Sequence, residues 1–239
     1  MKAQTVTDIG QTRLINQDYV YYSLTEVGCL PNLFIVADGM GGHKAGDMAS
    51  RYTVESYVSL VQSSSDKDPV SVINDTCFEV NRLLREKASE SEDYEGMGTT
   101  LVVACIIDHS LKVANIGDSR LYIVNDDITQ ITRDHSWVEE MVSMGEINRE
   151  QARTHEKKNI ITRAVGGSDE VEPEMFSVDI QDGDRILMCT DGLTNMLEDT
   201  EIFQIIRNHI DLKEAAEILC REANNHGGKD NISVMLIEP

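Results

Sequence analysis

Residues 101–131 read LVVACIIDHSLKVANIGDSRLYIVNDDITQI. Four apolar runs stand in this stretch, at 101–107, 111–116, 121–124 and 128–131, each short and rich in Val and Ile. That length and composition favour strands over helices. Asp108-His109-Ser110 separates the first two runs, and Asn125-Asp126-Asp127 separates the last two. Such short polar connections join hairpins, so this part of the sheet is expected to be antiparallel. Similar runs recur at 33–37, 185–189 and 232–237. Helical periodicity comes in two pairs, 45–62 with 70–89 and 200–209 with 212–224, and Val54, Val58 and Val61 share one face of the first helix. Asp199 or Thr200 stands where it can cap the third helix, and Asp211 where it can cap the fourth. A strict strand–helix alternation, the sign of a parallel sheet, is absent. The expectation is an α+β fold with helix pairs packed outside an antiparallel sandwich.

No linker, repeat or low-complexity segment interrupts the 239 residues, so one domain over 1–239 is expected. Lys plus Arg number 21 against 42 Asp plus Glu, a formal net charge of −21. A surface this acidic repels nucleic-acid backbones and anionic headgroups, and speaks against both as partners. An anionic substrate is compatible only where bound cations reverse the local field. No apolar run is long enough to span a bilayer. The opening MKAQTVTDIGQTRLINQD is too polar for a signal peptide, which makes the cytoplasm the expected location. Cys29, Cys77, Cys105, Cys189 and Cys220 are scattered without a C-x-x-C pair, so they read as small core residues. The glycine-rich 39–46 segment lacks the Gly-Lys-Ser/Thr ending of a phosphate-binding loop, and neither H-E-x-x-H nor G-x-S-x-G occurs.

The chemistry is suggested by aspartates at the ends of apolar runs: Asp38 in FIVADGMGG, Asp118 in VANIGDSR and Asp191 in ILMCTDGL, with Asp230 in GGKDNISV opening the last run. In an antiparallel sheet the end of one strand lies beside the start of its neighbour, so all four can share one rim. Any one Asp-Gly is ordinarily a turn. Four such sites beside strands can instead hold a divalent ion, because clustered carboxylates repel one another without a cation between them. Oxygen ligands without Cys or His select Mg²⁺ or Mn²⁺ over zinc.

Eight segments in order carry a resemblance: TDIGQTRLINQD (7–18), VADGMGGHKAG (36–46), GMGTTL (96–101), NIGDSRLY (115–122), ITQITRDHS (128–136), ITRAVGG (161–167), LMCTDGLTN (188–195) and GGKDNISV (227–234). The chain resembles the metal-dependent protein serine/threonine phosphatases of the PP2C (PPM) family in their short bacterial form. The resemblance implies a four-layer β-sandwich flanked by helix pairs. It implies hydrolysis of phosphoserine and phosphothreonine in proteins by a hydroxide bridging two Mn²⁺ or Mg²⁺ ions, opposing a bacterial Ser/Thr kinase. Asp38 would bridge the ions, the Gly39 carbonyl would ligate the second, and Asp191 and Asp230 the first. Asp118 would hold a weaker third ion, helped by Asp191. Asp18 joins the metal set by orienting metal-bound water, and Arg13 would bind the substrate phosphate. Eukaryotic members place a histidine acid directly after Asp-Gly; here Met40 stands there and His43 follows three residues later, a candidate acid or substrate contact. Phosphorylated proteins are the expected partners, and the chain is expected to act as a monomer. Two alternatives stay open, a regulator phosphatase of the sporulation or anti-anti-sigma type and an inactive phosphoprotein-binding module. Residues 136–159, dense in charge with few apolar positions, correspond to the family's flap beside the third ion.

Overall fold

The computed structural model describes the backbone of residues 1–239 and every side chain except those of Gly42, His43 and Lys44. Two antiparallel sheets form its centre. One runs, in spatial order, β1 (Lys2–Asp8), β11 (Ile232–Glu238), β10 (Arg185–Cys189), β7 (Arg120–Val124) and β8 (Ile128–Gln130). The other runs β2 (Asp18–Ser23), β3 (Leu33–Met40), β5 (Leu101–Ile107), β6 (Ser110–Ile116) and β9 (Glu174–Asp179), with the two-residue β4 (Gly98–Thr99) paired to the end of β3. Both hairpins expected from the 101–131 stretch form. Asp108 and His109 turn the first with φ of 47° and 65°, the left-handed geometry that matches the twist of its strands.

Side-chain alternation explains why the central strands are apolar on both faces. Along β3, Phe34 and Val36 pack across to Ile123, Ile186, Met188 and Met235 of the facing sheet. Leu33, Ile35 and Ala37 point the other way, onto Tyr57, Val61, Ile73 and Val80 of helices α1 (Gly42–Ser63) and α2 (Pro69–Ala88). On the opposite side, Leu187, Cys189, Val234 and Leu236 meet Ile202, Ile206, Ala216 and Leu219 of α6 (Asp199–Asn208) and α7 (Leu212–Asn225). Each buried aliphatic side chain contributes roughly 1.5–3 kcal/mol, so three stacked interfaces hold the four layers together. All five cysteines are free, four of them buried and Cys29 half-buried. Among the described residues no helix is long and apolar enough to cross a membrane.

The structure adds strands that the apolar pattern does not reveal. β1, β2 and β9 lie at sheet edges and carry mixed sequences such as KAQTVTD and EMFSVD. Asp211 caps α7 as expected, its side chain accepting from the Glu214 amide. The expected cap of α6 is corrected: Glu198 is the capping residue, because the Glu201 side chain reaches back to accept from its amide at 2.8 Å. Between β8 and β9 the chain makes the charged excursion, built on α3 (Trp137–Ser143) and α4 (Arg149–Thr154). Ser136 caps α3, Asn148 caps α4 in a capping box with Gln151, and Arg149 grips Glu139 through two hydrogen bonds of 2.9 and 3.1 Å.

Candidate active site

The four aspartates do meet at one rim. Asp38 lies near the end of β3, and Asp118 in the turn that carries the chain from β6 in one sheet to β7 in the other. Asp191 opens the short helix α5 (Asp191–Thr194) directly after β10, and Asp230 stands two residues before β11. All four line a cleft of about 500 Å³ together with Arg13, Gln17, Gly39, Met40, Thr100 and Ile161. Asp18 joins from the adjacent strand, since β2 and β3 pair Asp18 directly opposite Asp38. Like charges directly across a strand pair are destabilising, so this register needs an explanation outside the sheet.

Electrostatics make the strain explicit. Burial pushes the Asp18 carboxyl from 3.8 up to about 7, with Asp191 and Asp230 adding to the rise against hydrogen bonds from Ser233 and Thr190. Burial, and then the neighbouring Asp18, Asp191, Asp118 and Asp230, hold Asp38 well above the carboxylate range. Asp118 is raised in the same way, by burial first and by Asp191 and Asp134 next. Asp191 rises to about 6 through burial and the Asp230 charge, against the pull of Arg120, Lys158 and Arg13. One oxygen of Asp18 and one of Asp191 are buried without a hydrogen-bond partner. Buried acceptors are ordinarily satisfied, and orphaned carboxylate oxygens crowded among other carboxylates are what a hard divalent cation would take up.

The other oxygen of Asp18, the other oxygen of Asp191 and both oxygens of Asp230 are held by the protein. Thr190 Oγ1 donates to Asp18 Oδ2 at 2.8 Å, and Asn195 Nδ2 donates to Asp191 Oδ2 at 2.8 Å. The Asn231 amide donates to Asp230 Oδ1 at 2.9 Å, and Arg13 Nη2 donates to Asp230 Oδ2 at 2.7 Å. Arg13 thus sits at the rim on a proposed ligand, not isolated beside it. As the side chains stand, no three acidic, His or Cys groups among the described residues converge on a single point in a ready-made cage. The donor set is nevertheless all oxygen, and its free valences belong to carboxylates that repel one another, so the residues fit Mn²⁺ or Mg²⁺.

Backbone proximity fixes the rest. A Cβ on Gly39 would lie 2.0 Å from the Gly46 carbonyl, so only glycine lets β3 run this close to the start of α1. A Cβ on Gly192 would lie 1.9 Å from the Asn231 carbonyl, which brings the Asp191 turn against the Asp230 segment. The Asp38 amide donates to Thr100 Oγ1 at 2.9 Å, and Thr100 Oγ1 lies 2.8 Å from Ser119 Oγ, linking the Asp38 and Asp118 loops. Thr100, Ser119, Thr190, Asn195 and Asn231 are positioning residues that sequence reasoning did not single out. Their signal was present: each lies in one of the quoted segments, one to four residues from an aspartate or, for Thr100, opposite Asp38. The His43 side chain lies outside the described residues.

Comparison with known proteins places the chain among phosphatases. Residues 10–227 match the family described as Protein phosphatase 2C. The chain is 39% identical over 241 residues to Protein phosphatase PhpP of Streptococcus pneumoniae, covering 99% of this chain and 97% of that protein. Its structure is similar to that of the serine/threonine phosphatase Stp1 from Staphylococcus aureus, with a TM-score of 0.92, 33% identity and coverage of 100% and 94%. It is also similar to the catalytic domain of serine threonine protein phosphatase PstP in complex with two manganese ions, with a TM-score of 0.86, 32% identity and coverage of 98% and 96%.

Proposed function

The chain belongs to the Protein phosphatase 2C family, and from that premise we propose that it hydrolyses phosphoserine and phosphothreonine in proteins with Mn²⁺ or Mg²⁺ at the aspartate rim. The observation that carries this reading is a cleft of about 500 Å³ lined by Asp38, Asp118, Asp191 and Asp230, with Arg13 beside them on Asp230. When bound, the divalent ions supply Lewis acidity and a water that ionises at neutral pH.

The chain's own residues do the holding and aiming. Asp38 would serve both ions of the pair, the Gly39 carbonyl would ligate one of them, and Asp191 and Asp230 would ligate the other. Asn195 and Thr190 leave one oxygen each of Asp191 and Asp18 free while fixing the other. Asp18 would orient the attacking water, and Asp118 would hold a weaker third ion. Arg13 exchanges Asp230 for two phosphoryl oxygens, a fork that matches their spacing. As the new P–O bond forms, the bond to the Ser or Thr oxygen breaks, and that oxygen takes a proton, with His43 the candidate acid or substrate contact. Phosphorylated substrates of a Ser/Thr kinase, and that kinase itself, are the partners this chemistry calls for, with the enzyme a cytoplasmic monomer of one domain and residues 136–159 its flap. The test is release of inorganic phosphate from a phosphothreonine peptide with Mn²⁺, with Mg²⁺ and with chelator. Turnover restored by either metal supports the reading, and full turnover after exhaustive metal removal overturns it.

A further inference from the structure

His135 takes no part in the chemistry above, yet it is buried at 6% exposure and every polar atom around its ring and backbone is committed. Its Nδ1 lies 3.1 Å from the Gly117 amide, immediately before Asp118. An amide nitrogen can only donate, so Nδ1 is the acceptor and the ring proton sits on Nε2. That Nε2 lies 3.2 Å from Glu174 Oε2 on β9, which is the acceptor this tautomer requires. The His135 backbone closes a second link to the same residue, its amide donating to the Gly117 carbonyl at 2.9 Å. Gly117 itself has a φ of 107° and sits against the Thr100 side chain, so the loop has little freedom to carry another side chain here.

The other side of the same residue holds the excursion. The Thr162 amide donates to the His135 carbonyl at 2.7 Å, Ser136 pairs with Ile161, and the Trp137 amide donates to the Ile160 carbonyl at 2.8 Å. Both ends of the excursion therefore close on His135 and its next two neighbours, while the ring and amide of His135 close on the residue preceding Asp118. On the preceding side, Asp134 accepts from Arg120 Nε and Nη2 at 2.9 and 2.7 Å, which ties the far side of the Asp118 turn to the same three-residue segment.

We infer that His135 is a positioning residue that couples the base of the 136–161 excursion to the Asp118 turn, so that displacement of one moves the other. The inference rests on the phosphatase reading for its kinetic consequence, though not for its structural one. A loop that must be in place for a folded substrate, and a carboxylate that must be in place for its phosphate, are then set by one imidazole and not by two independent contacts.

The experiment compares His135→Phe, which keeps the ring volume and loses the acceptor, with His135→Asn, whose Oδ1 can still accept from Gly117. Hydrogen exchange in the metal-free protein is read at the Gly117 and Thr162 amides. Faster exchange at both in His135→Phe, with protection recovered in His135→Asn, is the expected result; unchanged exchange overturns the inference. Turnover is then measured on a phosphothreonine protein and on an aryl phosphate, alone and in an Asp118→Asn background. His135→Phe should lose about tenfold more on the protein than on the aryl phosphate, and should add little once Asp118 is already replaced. Equal losses on both substrates with full additivity would make His135 mere scaffolding. An inactive parent protein would overturn the phosphatase reading, and the exchange measurement would then decide the coupling by itself.

Discussion

Asp134 borders a cleft of about 910 Å³ that it shares with Asp118 and Asp191 of the aspartate rim, and the two sets of carboxylates solve burial in opposite ways. Asp134 is met by its own cation: Arg120 donates to both of its oxygens, Gln130 adds a third donor at 2.8 Å, and Tyr122 supports the guanidinium at 2.9 Å. At the rim, Asp18 and Asp38 instead face burial and one another, and their protonation is raised accordingly. The difference separates structure from function. A carboxylate matched by a protein cation stabilises the fold only as long as its partner remains, whereas one left unmatched costs stability until a cation arrives from outside.

Replacing Asp38 by Asn should break the comparison most severely. Losing the residue assigned to bridge two ions should lower kcat by about a thousandfold or more, with the metal-free protein becoming more heat-stable because the cost of keeping this crowded carboxyl protonated has gone. Loss of activity with a lowered melting temperature would mean that Asp38 is structural, like Asp134. The converse change is Arg120→Met. Stranding a largely buried Asp134 should destabilise the chain by about 3 kcal/mol in denaturant unfolding. A neutral result there would erase the distinction from the other direction.

Arg13→Ala comes next. With Asp230 freed and the phosphate clamp removed, KM for a phosphopeptide should rise by about tenfold or more while calorimetric metal binding is retained. Loss of metal binding would instead make the Arg13–Asp230 contact essential to the centre. A smaller effect follows from pH. The native carboxyls of Asp18 and Asp191 hold their protons to about 7 and about 6, whereas the unfolded chain releases them near 3.8. The folded state therefore binds more protons between these values, so the melting temperature of metal-free protein should fall as pH rises from about 4 to 7. Mn²⁺ should reverse the fall at pH 8. Smallest of all, a folded variant with all five cysteines changed to Ala or Val should keep its catalytic rate, which a standard turnover assay decides.

How far the sequence foretells these regions follows from what each is made of. Asp38, Asp118, Asp191 and Asp230 are legible because each stands at the end or the opening of an apolar run, and strand adjacency then implies a common rim. The helix pairs are legible because their buried faces repeat with helical period. β1, β2 and β9 are not, since edge strands pair on one side only and tolerate polar residues that hide the alternation. Arg13 on Asp230 spans 217 residues, and no local pattern encodes such a contact. The same holds for His135, whose neighbours Gly117, Glu174 and Thr162 come from separate segments. Its quoted motif, ITQITRDHS, marks the place without revealing the partners.

The place of β11 between β1 and β10 has a consequence for the order in which the chain can assemble during synthesis. The first strand pairs only with the last: Lys2 opposes Glu238 and Asp8 opposes Ile232. As the polypeptide leaves the ribosome, β1 waits unpaired through more than two hundred residues, and β10 emerges with one of its two neighbours still missing. The other sheet and its helix pair draw on residues completed by β9, so that half can form early. Asp230 arrives just ahead of the strand that closes the first sheet. Closing the sheet and completing the carboxylate rim are therefore nearly the same late event, and a chain released before Asp230 would carry neither.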